Sequence, residues 1–463
     1  MSWSGQSLEP PSGTRDFLAA EHRRRESAFA VVRGVFDSYG FDPLQTPAFE
    51  RLEVLTGKYG DEGDKLIFKI LRRGEHEATG EADLALRYDL TVPLARVMGG
   101  YGGRLPMPYK RYAIGPVWRA DRPGRGRFRE FVQCDVDIVG SGALPADAEV
   151  LCAVDAALTA LGVPGFRFLI NSRKVLTGLL DCYEVPAEIG GRVLITLDKL
   201  DKLSPDEVVR ELEERGLSAA AAKPLVEDLV AEDSVQRVRS ALTGNACGQA
   251  GLAEVGRLLE LVGGVVPAGR VTFTPRLVRG LDYYTGAIWE VVAPGMPGSI
   301  ASGGRYDRLV ASLGGPDLPA VGGSLGIERI LALLPDSDGE SDRLDVAVTI
   351  LDEDDAPGLL ALAARLRRAG LRTGVYLGSS GKLAKQLKWA SDRGARHTLI
   401  QGPAEKAERR VTVRDMDTAC QTTVPIGEVI AYLADRPGTG PRPGGPPVPS
   451  DEDGDDRDGQ QGQ

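Results

Sequence analysis

The stretch YKRYAIGPVWRADRPGRGRFREFVQCDVD, Tyr109 to Asp137, decides how the rest of the chain is interpreted. It begins as an apolar strand, runs into a loop rich in arginine and glycine, and ends in a strand that alternates charged and apolar residues. A planar guanidinium binds phosphate oxygens through paired hydrogen bonds, so such a loop suits a polyphosphate. A basic hairpin on a solvated surface is the alternative. The loop arginines are Arg119, Arg122, Arg125, Arg127 and Arg129.

The second strand of this stretch carries side chains that suit a small substrate. Phe131 offers a ring on which a base can stack. Gln133, Cys134 and Asp137 follow it and supply polar groups that can orient a small molecule. The stretch therefore predicts a site for a nucleotide together with a second, smaller ligand.

The same stretch resembles motif 2 of the class II aminoacyl-tRNA synthetases, in the form that histidyl-tRNA synthetases carry. Here the motif is WRADRP followed by GRFREFVQCDVD. Four further segments are similar to that family, come in its order and extend the resemblance over nearly the whole chain. They are LALRYDLTVPLAR (Leu84 to Arg96), the histidine-specific signatures LVRGLDYYTG (Leu277 to Gly286) and ASGGRYDRL (Ala301 to Leu309), and the motif 3 segment AVGGSLGIERIL (Ala320 to Leu331).

Composition bounds the protein class independently of the resemblance. The 463 residues are 42% hydrophobic and 26% charged, which predicts a globular protein of two or three domains. No apolar run approaches the roughly 18 to 20 residues of a membrane span, and the polar start lacks a signal-peptide core, so we expect a cytoplasmic protein without a membrane partner. The formal charge of -10 does not exclude tRNA, because a local basic face can still follow a phosphate backbone.

The cysteines predict neither a disulfide framework nor a zinc site, because they are scattered and form no CxxC or Cys/His spacing. We therefore expect no metal site built from them. The five are Cys134, Cys152, Cys182, Cys247 and Cys420.

The resemblance implies an α+β catalytic domain with an antiparallel sheet of the class II synthetase type, a helical insertion and a C-terminal α/β anticodon-binding domain. Helical patterning with breaks at Pro205, Pro224 and Gly244 supports the insertion, and strands alternating with helices predict parallel pairing in the last domain. The acidic, Pro- and Gly-rich end predicts disorder. The expected segments are 1–171 (catalytic, motifs 1 and 2), 172–269 (insertion), 270–335 (catalytic, signatures and motif 3), 342–435 (anticodon-binding) and 436–463 (disordered tail).

An early segment bears on assembly. A helix predicted from about Glu21 to Tyr39, with Asp16 or Ser12 as its cap, runs into GFDPLQTPAFER, Gly40 to Arg51. The segment resembles motif 1 with its central Pro47, which in the family forms the dimer interface, so a homodimer is expected. An ordinary helix-to-edge-strand connection is the alternative, because proline is tolerated at sheet edges.

Two glycine clusters precede the end of the catalytic region. Gly303 and Gly304, and then Gly322, Gly323 and Gly326, predict close approach of the backbone to a ligand. Core tyrosines and a surface arginine are the alternative explanation for the residues beside them. Those residues are Arg279, Tyr283, Tyr284, Arg305, Tyr306, Glu328 and Arg329.

The resemblance implies a division of roles within one site. Arg119 and Arg279 would be the catalytic arginines, with Arg119 on the α-phosphate of ATP and Arg279 on both the histidine carboxylate and that phosphate. Arg127 and Arg329 would hold the β- and γ-phosphates, and Phe131 would stack on adenine. Mg²⁺ would bridge the pyrophosphate with few protein ligands. The histidine site would comprise Asp89, Leu90, Thr91, Arg119, Gln133, Asp137, Arg279, Tyr283, Tyr284 and Tyr306.

Within that site, Asp89, Thr91 and Gln133 would hold the ammonium group, although a single aspartate at a strand end is more often a turn former. Asp137, Tyr283 and Tyr284 would line the imidazole pocket. Because a pocket that pairs polar substrate groups rejects ligands that leave them unpaired, no editing domain is expected.

The C-terminal unit carries basic residues around an aromatic one, the pattern of RNA-binding surfaces. A solvated helix face gives the same pattern. The candidate tRNA-binding residues are Lys382, Lys385, Lys388 and Arg396, with Trp389 and Arg393 among them.

The sequence therefore predicts a histidine-tRNA ligase. Two alternatives remain: a catalytically silent relative that senses histidine or regulates histidine biosynthesis, and an ATP-dependent ligase that acts on a small carboxylate without RNA. Relatives of the first kind typically lack the signature arginine or the C-terminal domain, and this chain has both Arg279 and the C-terminal unit.

Overall fold

A computed structural model of the chain describes residues 8–59, 63–74, 79–124, 126–278, 283–335 and 343–436. Contacts divide the chain into two units, Met1–Pro335 and Asp336–Gln463. Within the described ranges no helix is both long and apolar enough to cross a lipid bilayer. The predicted disorder of the tail concerns residues that lie almost entirely outside these ranges.

Strands of the first unit form an eight-stranded sheet and a small three-stranded one. They are β1 (Asp42–Pro43), β2 (Phe49–Arg51), β3 (Lys69–Leu71), β4 (Ala82–Leu86), β5 (Tyr109–Trp118), β6 (Glu130–Val139), β7 (Arg167–Ser172), β8 (Val271–Phe273), β9 (Ala287–Val292), β10 (Ala301–Arg305) and β11 (Ala320–Gly326).

The same unit contains the following α-helices among its described residues. They are α1 (Ala19–Ser38), α2 (Leu52–Leu55), α3 (Thr91–Tyr101), α4 (Leu144–Ala160), α5 (Arg173–Cys182), α6 (Ala187–Leu197), α7 (Pro205–Glu214), α8 (Ala219–Val230), α9 (Ser234–Ala241), α10 (Ala246–Val262) and α11 (Ile327–Leu331).

The large sheet has the order β1-β5-β6-β11-β10-β9-β7-β8, with the arginine hairpin β5–β6 near one edge. Its inner pairs are antiparallel, as predicted, and only the edge pairs β1–β5 and β7–β8 are parallel. Cys134, Val136 and Ile138 of β6 are buried in the hydrophobic core. Because side chains alternate along a strand, Gln133, Asp135 and Asp137 share the opposite face of the sheet.

The helix α1 begins at Ala19, and Leu18 precedes it without a side-chain cap bond. The predicted capping by Asp16 or Ser12 is therefore wrong, because Leu18, in the extended region, occupies the N-cap position. The core pattern within this helix is confirmed, since Phe29, Val32 and Phe36 are buried.

Six helices, α5 to α10, follow β7 and lead back to β8. Pro205 occupies the first turn of α7, where Ser204 and Glu207 form a capping box. Pro224 lies inside α8 and does not break it. The buried side chains Leu225, Val226 and Leu229 keep this helix packed across the proline, which shows tertiary packing overriding a local breaker.

The second unit has its own sheet and its own buried clusters. Its strands and helices are β12 (Val346–Val348), α12 (Ala356–Arg368), β13 (Thr373–Val375), α13 (Leu383–Asp392), β14 (His397–Ile400), α14 (Pro403–Ala407), β15 (Arg410–Asp415), β16 (Gln421–Pro425) and α15 (Val429–Ala434).

Parallel pairing in this sheet holds for β13–β12–β14, as predicted. It is wrong for β15, which pairs antiparallel with β14 and with β16. The reason is the short link from β14 to β15, since a parallel connection requires a crossover of about a dozen residues or more.

Candidate active site

A cleft of about 600 Å³ opens on the face of the large sheet to which β6 contributes Gln133 and Asp137. Most residues that the sequence proposed for one site line it together. They are Asp89, Thr91, Arg119, Arg127, Phe131, Gln133, Asp137, Tyr283, Tyr284, Tyr306 and Arg329.

One described site residue, Leu90, does not line the cleft, and one predicted residue is not described. Leu90 is buried beneath the cleft, where its side chain packs with Ala113 and Val117 and its carbonyl oxygen accepts a hydrogen bond from Arg111 Nη2 at 3.0 Å. Arg279 lies outside the described residues. The role of Leu90 in the structure is therefore to support its neighbours from below.

Asp137 is held at both carboxylate oxygens. Oδ1 accepts a hydrogen bond from the Tyr306 hydroxyl, and Oδ2 lies 2.8 Å from Arg111 Nη2 on the neighbouring strand β5. Arg111 and Asp137 are register partners, and both are buried. Burial raises the pKa of Asp137 against the opposing effect of Arg111. Desolvation thus outweighs the ion pair, as is common for buried charges.

Asp135 lies two residues before Asp137 on the same face of β6 and is also buried. Burial, with the nearby Asp137 charge, raises its pKa to about 7 although Arg111 opposes the shift. Ser324 hydrogen-bonds to Asp135 and also accepts a hydrogen bond of 2.9 Å from Gln133 Nε2. Gln133 Oε1 is buried and, among the described residues, has no hydrogen-bond partner. It is an acceptor suited to a donor group of a ligand.

Asp89 lies just before α3, and its Oδ1 accepts hydrogen bonds from the backbone N–H of Thr91 at 3.2 Å and of Val92 at 2.9 Å. The hydroxyl of Tyr59 donates to the same oxygen at 3.2 Å. Burial raises the pKa of Asp89, while the Val92 N–H favours the charged form. The turn-forming role of this aspartate and its place in the cleft thus coexist.

Arg119 follows β5 directly and lies between two rings. Its guanidinium carbon is 4.3 Å from the centroid of the Tyr88 ring and 5.2 Å from that of the Phe131 ring. Its Nε donates to the Tyr88 carbonyl oxygen at 3.0 Å. These contacts orient the planar guanidinium and leave its other N–H groups available to an anion.

Two more arginines line the cleft, Arg127 in the hairpin loop and Arg329 in α11. Arg127 is bonded to Asp121 at 2.8 Å, and Arg329 donates to the Ser299 carbonyl oxygen at 2.6 Å. Burial lowers the pKa of Arg329, and the neighbouring Arg127 lowers it further. Positive groups that are close together in a half-buried cleft favour binding of a polyanion.

Of the predicted glycines, Gly303, Gly322, Gly323 and Gly326 line the cleft, and several also leave room for neighbouring side chains. A side chain at Gly303 or Gly323 would collide with the Trp289 ring, and one at Gly304 would meet the Tyr284 ring. A Cβ at Gly322 would lie 1.9 Å from Asp137 Oδ1. The space these glycines leave is therefore filled by the protein's own side chains, which sets the positions of Tyr284 and Asp137.

Arg305, which belongs to a signature segment, points away from the cleft. It pairs with Asp147 and Asp307, so this residue serves packing.

Several other residues in or next to the site were not predicted from the sequence. Arg111 was missed, although a charged residue in β5 opposite the acidic DVD of β6 was a usable signal. Tyr59 and Ser324 had no such signal. Asp198, Asp201 and Lys202, which follow α6, also line the cleft.

The candidate RNA-binding residues lie on α13 and at the start of β14 in the second unit. Lys382, Lys385 and Lys388 are exposed, and Lys388 pairs with Asp392 at 2.9 Å. Arg396 is half-buried. Trp389, the aromatic residue among them, is partly buried, because it packs on Tyr376 and on the buried cluster around Ala390.

An arginine-rich hairpin on a mainly antiparallel sheet, with an adjoining cleft of carboxylates and tyrosines, defines the catalytic core of a class II aminoacyl-tRNA synthetase. A family model described as histidyl-tRNA synthetase matches residues 13–330, and one described as anticodon binding domain matches residues 345–436. The chain belongs to the histidyl-tRNA synthetase family.

Curated relatives and solved structures agree with this membership. The chain is 40% identical over 460 residues to the histidine–tRNA ligase of Gloeobacter violaceus, covering 92% of this chain and 98% of the relative. It is 37% identical over 451 residues to that of Cytophaga hutchinsonii, covering 91% and 98%. The crystal structure of histidyl-tRNA synthetase from Nostoc sp. PCC 7120 superposes with a TM-score of 0.74 at 28% identity, covering 92% of this chain and 99% of that one.

Proposed function

We propose that this chain is a histidine–tRNA ligase, which activates L-histidine with ATP and transfers the histidyl group to the 3′ end of its tRNA. The observation that carries the proposal is Asp137. This buried carboxylate is fixed by Arg111 and Tyr306 in the same cleft as Arg119 and Arg329. One cleft thus combines a polar pocket for a small substrate with cations for a polyphosphate.

Activation requires the histidine carboxylate to attack the α-phosphate of ATP and to expel pyrophosphate. Negative charge builds on the phosphate oxygens, and preplaced cations stabilise it. We assign Arg119 to the α-phosphate, where its stacking on Tyr88 and Phe131 supports a fixed orientation. Arg127 and Arg329 are assigned to the departing phosphates, and the Phe131 ring to adenine. The assignment of Arg279 to the histidine carboxylate rests on the family motif alone.

The histidine pocket is assigned from its hydrogen-bonding groups. The ammonium group donates to Asp89 and to the unpaired Gln133 Oε1, with Thr91 beside them. Asp137 accepts a hydrogen bond from the imidazole, and Tyr283 and Tyr284 line the ring. The rings of Tyr283 and Tyr306 pack edge to face, with centroids 6.0 Å apart and planes at 74°, so two aromatic side chains line this part of the pocket.

Magnesium enters the proposal together with ATP. Few protein ligands are expected for it, because Mg²⁺ keeps several waters and binds largely through the phosphates of its substrate. Glu290 and Glu328 line the cleft, and Glu328 Oε2 is buried without a hydrogen-bond partner in the described structure. Carboxylate oxygens fit Mg²⁺, which neutralises phosphate charge when it is bound.

After activation, a ribose hydroxyl of the terminal adenosine of tRNA attacks the adenylate. We assign the anticodon end of tRNA to the second unit, with Lys382, Lys385, Lys388 and Arg396 as its basic residues. The helices α5 to α10 are assigned to the acceptor arm, because the loop after α6 reaches the cleft with Asp198, Asp201 and Lys202. A helical cap that contacts no RNA is the alternative for this segment. We expect aminoacylation by this protein to take place in the cytoplasm.

We also propose a homodimer. The Tyr101 side chain is 52% exposed and lines an open groove of about 760 Å³ with Leu44, Pro47 and Leu105. These apolar side chains are joined in the lining by charged ones such as Arg96 and Arg104, and an exposed groove of this mixed kind supports a second copy as its occupant. Tyr101→Glu should shift the sedimenting species toward the monomer, whereas Leu360→Glu on the second unit should not. Two variants with equal sedimentation would exclude this groove.

Histidine-dependent exchange of pyrophosphate with ATP tests the catalytic proposal. We expect exchange with histidine and with none of the other amino acids, followed by charging of a histidine-accepting tRNA. Binding of histidine without exchange or charging would favour the regulatory alternative. Exchange without any charging would favour a ligase that acts on a small carboxylate alone.

A further inference from the structure

The segment Ser12–Phe17, which we name the N-terminal strap, lies against the arginine hairpin. The carbonyl oxygen of Gly13 accepts a hydrogen bond from the backbone N–H of Arg129 at 2.7 Å. Arg129 Nη1 also donates to the Ser12 carbonyl oxygen at 3.3 Å. A segment more than a hundred positions away along the chain thus forms part of the wall behind the hairpin loop.

Arg129 also contacts the two ends of the loop. Its Nε donates to the carbonyl oxygen of Asp121 at 3.1 Å, and its own carbonyl oxygen accepts the backbone N–H of Arg119 at 2.9 Å. Asp121 in turn holds Arg127 at 2.8 Å. Arg129 therefore serves the protein rather than a phosphate, and it connects the strap with both stems of the loop.

Arg15 makes a second contact between the strap and the loop. Its guanidinium carbon lies 3.7 Å from the centroid of the Phe128 ring, and Phe128 lines the cleft. The same guanidinium is 3.7 Å from Glu21 Oε1 at the start of α1. A cation fixed from behind by a carboxylate is a suitable support for an aromatic ring.

Gly13 is the position at which the strap tolerates no side chain. Its φ of +84° favours glycine, and a Cβ there would lie 2.7 Å from Arg129 Cγ. Any other residue would strain the backbone and push Arg129 away from the strap. Both effects would act on the loop through the contacts just described.

We infer that Gly13 and Arg15 are positioning residues for ATP, because the strap holds Phe128, Arg129 and, through Asp121, Arg127 in place. The inference rests on the proposed function only in taking the cleft as an ATP site. Neither residue is itself among those that line the cleft.

Direct binding of ATP and the two KM values test this inference. Arg15→Ala should weaken ATP binding and raise the KM for ATP about fivefold, near the upper end for a solvent-exposed cation–π contact. The KM for histidine should stay within about twofold, because the contacts of Asp137 and Gln133 do not involve the strap. Gly13→Ala should give the same pattern. Asp16→Ala is the matched control in the same strap and should leave both KM values unchanged.

A double-mutant cycle separates positioning from loss of folding. In a Phe128→Ala background, Arg15→Ala should have little further effect on ATP binding. In a chain that is otherwise unchanged, Arg15→Lys should lose less affinity for ATP than Arg15→Ala, because the lysine keeps a cation beside the ring. Fully additive effects, or KM values for ATP and histidine that rise together, would overturn the inference. Calorimetric ATP binding requires no histidine, so absence of histidine-dependent exchange would disprove the proposed function while leaving this test intact.

Discussion

At the scale of single residues, Asp137 is the side chain on which the choice of substrate should depend. An imidazole needs an acceptor of fixed position, and Arg111 and Tyr306 fix this carboxylate from two sides. Asp137→Ala should raise the KM for histidine at least ~10-fold, or ~1.4 kcal/mol, while the KM for ATP changes little. Steady-state exchange kinetics measure both constants. If neither moves, Asp137 is a structural strand residue.

Arg119 should carry most of the charge stabilisation at the reacting phosphate. Arg119→Ala should lower the rate of activation by at least ~100-fold, the scale typical of losing a transition-state donor. Arg122 is exposed on the same loop, so Arg122→Ala is the matched control and should retain near-normal exchange. Near-normal exchange by Arg119→Ala would remove its assignment.

The shifted pKa of Asp135 predicts that the stability of the fold depends on pH. Its pKa is raised to about 7 in the folded protein from an ordinary value of 3.8, so the folded state binds the proton more tightly than the unfolded state. Its contribution to stability is therefore present below pH 4 and is lost as the pH rises toward 7. The groups that face it are Arg111, Arg87, Asp89, Asp137 and Ser324.

Asp135→Asn removes that titration and keeps the size of the side chain. The free energy of unfolding of the variant minus that of the parent should be larger at pH 8 than at pH 5, by about 1 kcal/mol or more, because only the parent loses stability over this range. Urea unfolding at the two pH values measures the difference. A difference of zero or of opposite sign would mean that Asp135 is ionised throughout this range.

At the scale of elements, the exposed face of α13 should act on RNA and not on activation. Replacing Lys382, Lys385 and Lys388 by alanine should raise the KM for tRNA about tenfold and reduce its salt dependence, because phosphate contacts release counterions. Pyrophosphate exchange should not change. Lys406→Ala is the control, because this lysine of the same unit forms an ion pair with Asp355. Equal losses in the control would show only a general effect of charge.

At the scale of the whole molecule, the two units have separate cores. The buried clusters of Met1–Pro335 and of Asp336–Gln463 share no member among the described residues. A chain ending near Ser341 should therefore stay folded and exchange pyrophosphate, yet lose most tRNA charging. Equal charging by the truncated and full chains would remove the anticodon-binding role. Absence of folding would show that the units depend on each other.

Local pattern was sufficient for much of this molecule. The hairpin, the helix of Phe29, Val32 and Phe36, and the alternation that places Gln133 beside Asp137 follow from periods of 3.6 and 2 that any strand or helix imposes. The predictions that failed depended on context. A short link reversed the pairing of β15, and packing carried α8 through Pro224.

The sequence by itself determined the family, the arginine hairpin and a set of site residues of which nearly all line the cleft, because these are properties of short segments. Only the tertiary structure decided which side chains hold one another. Arg111 reaches Asp137 because β5 and β6 pair in one register, Arg305 turns to Asp147, and Trp389 turns into its core. The physical reason is that alternation fixes the face of a residue, whereas its neighbours on that face come from segments far away in the chain.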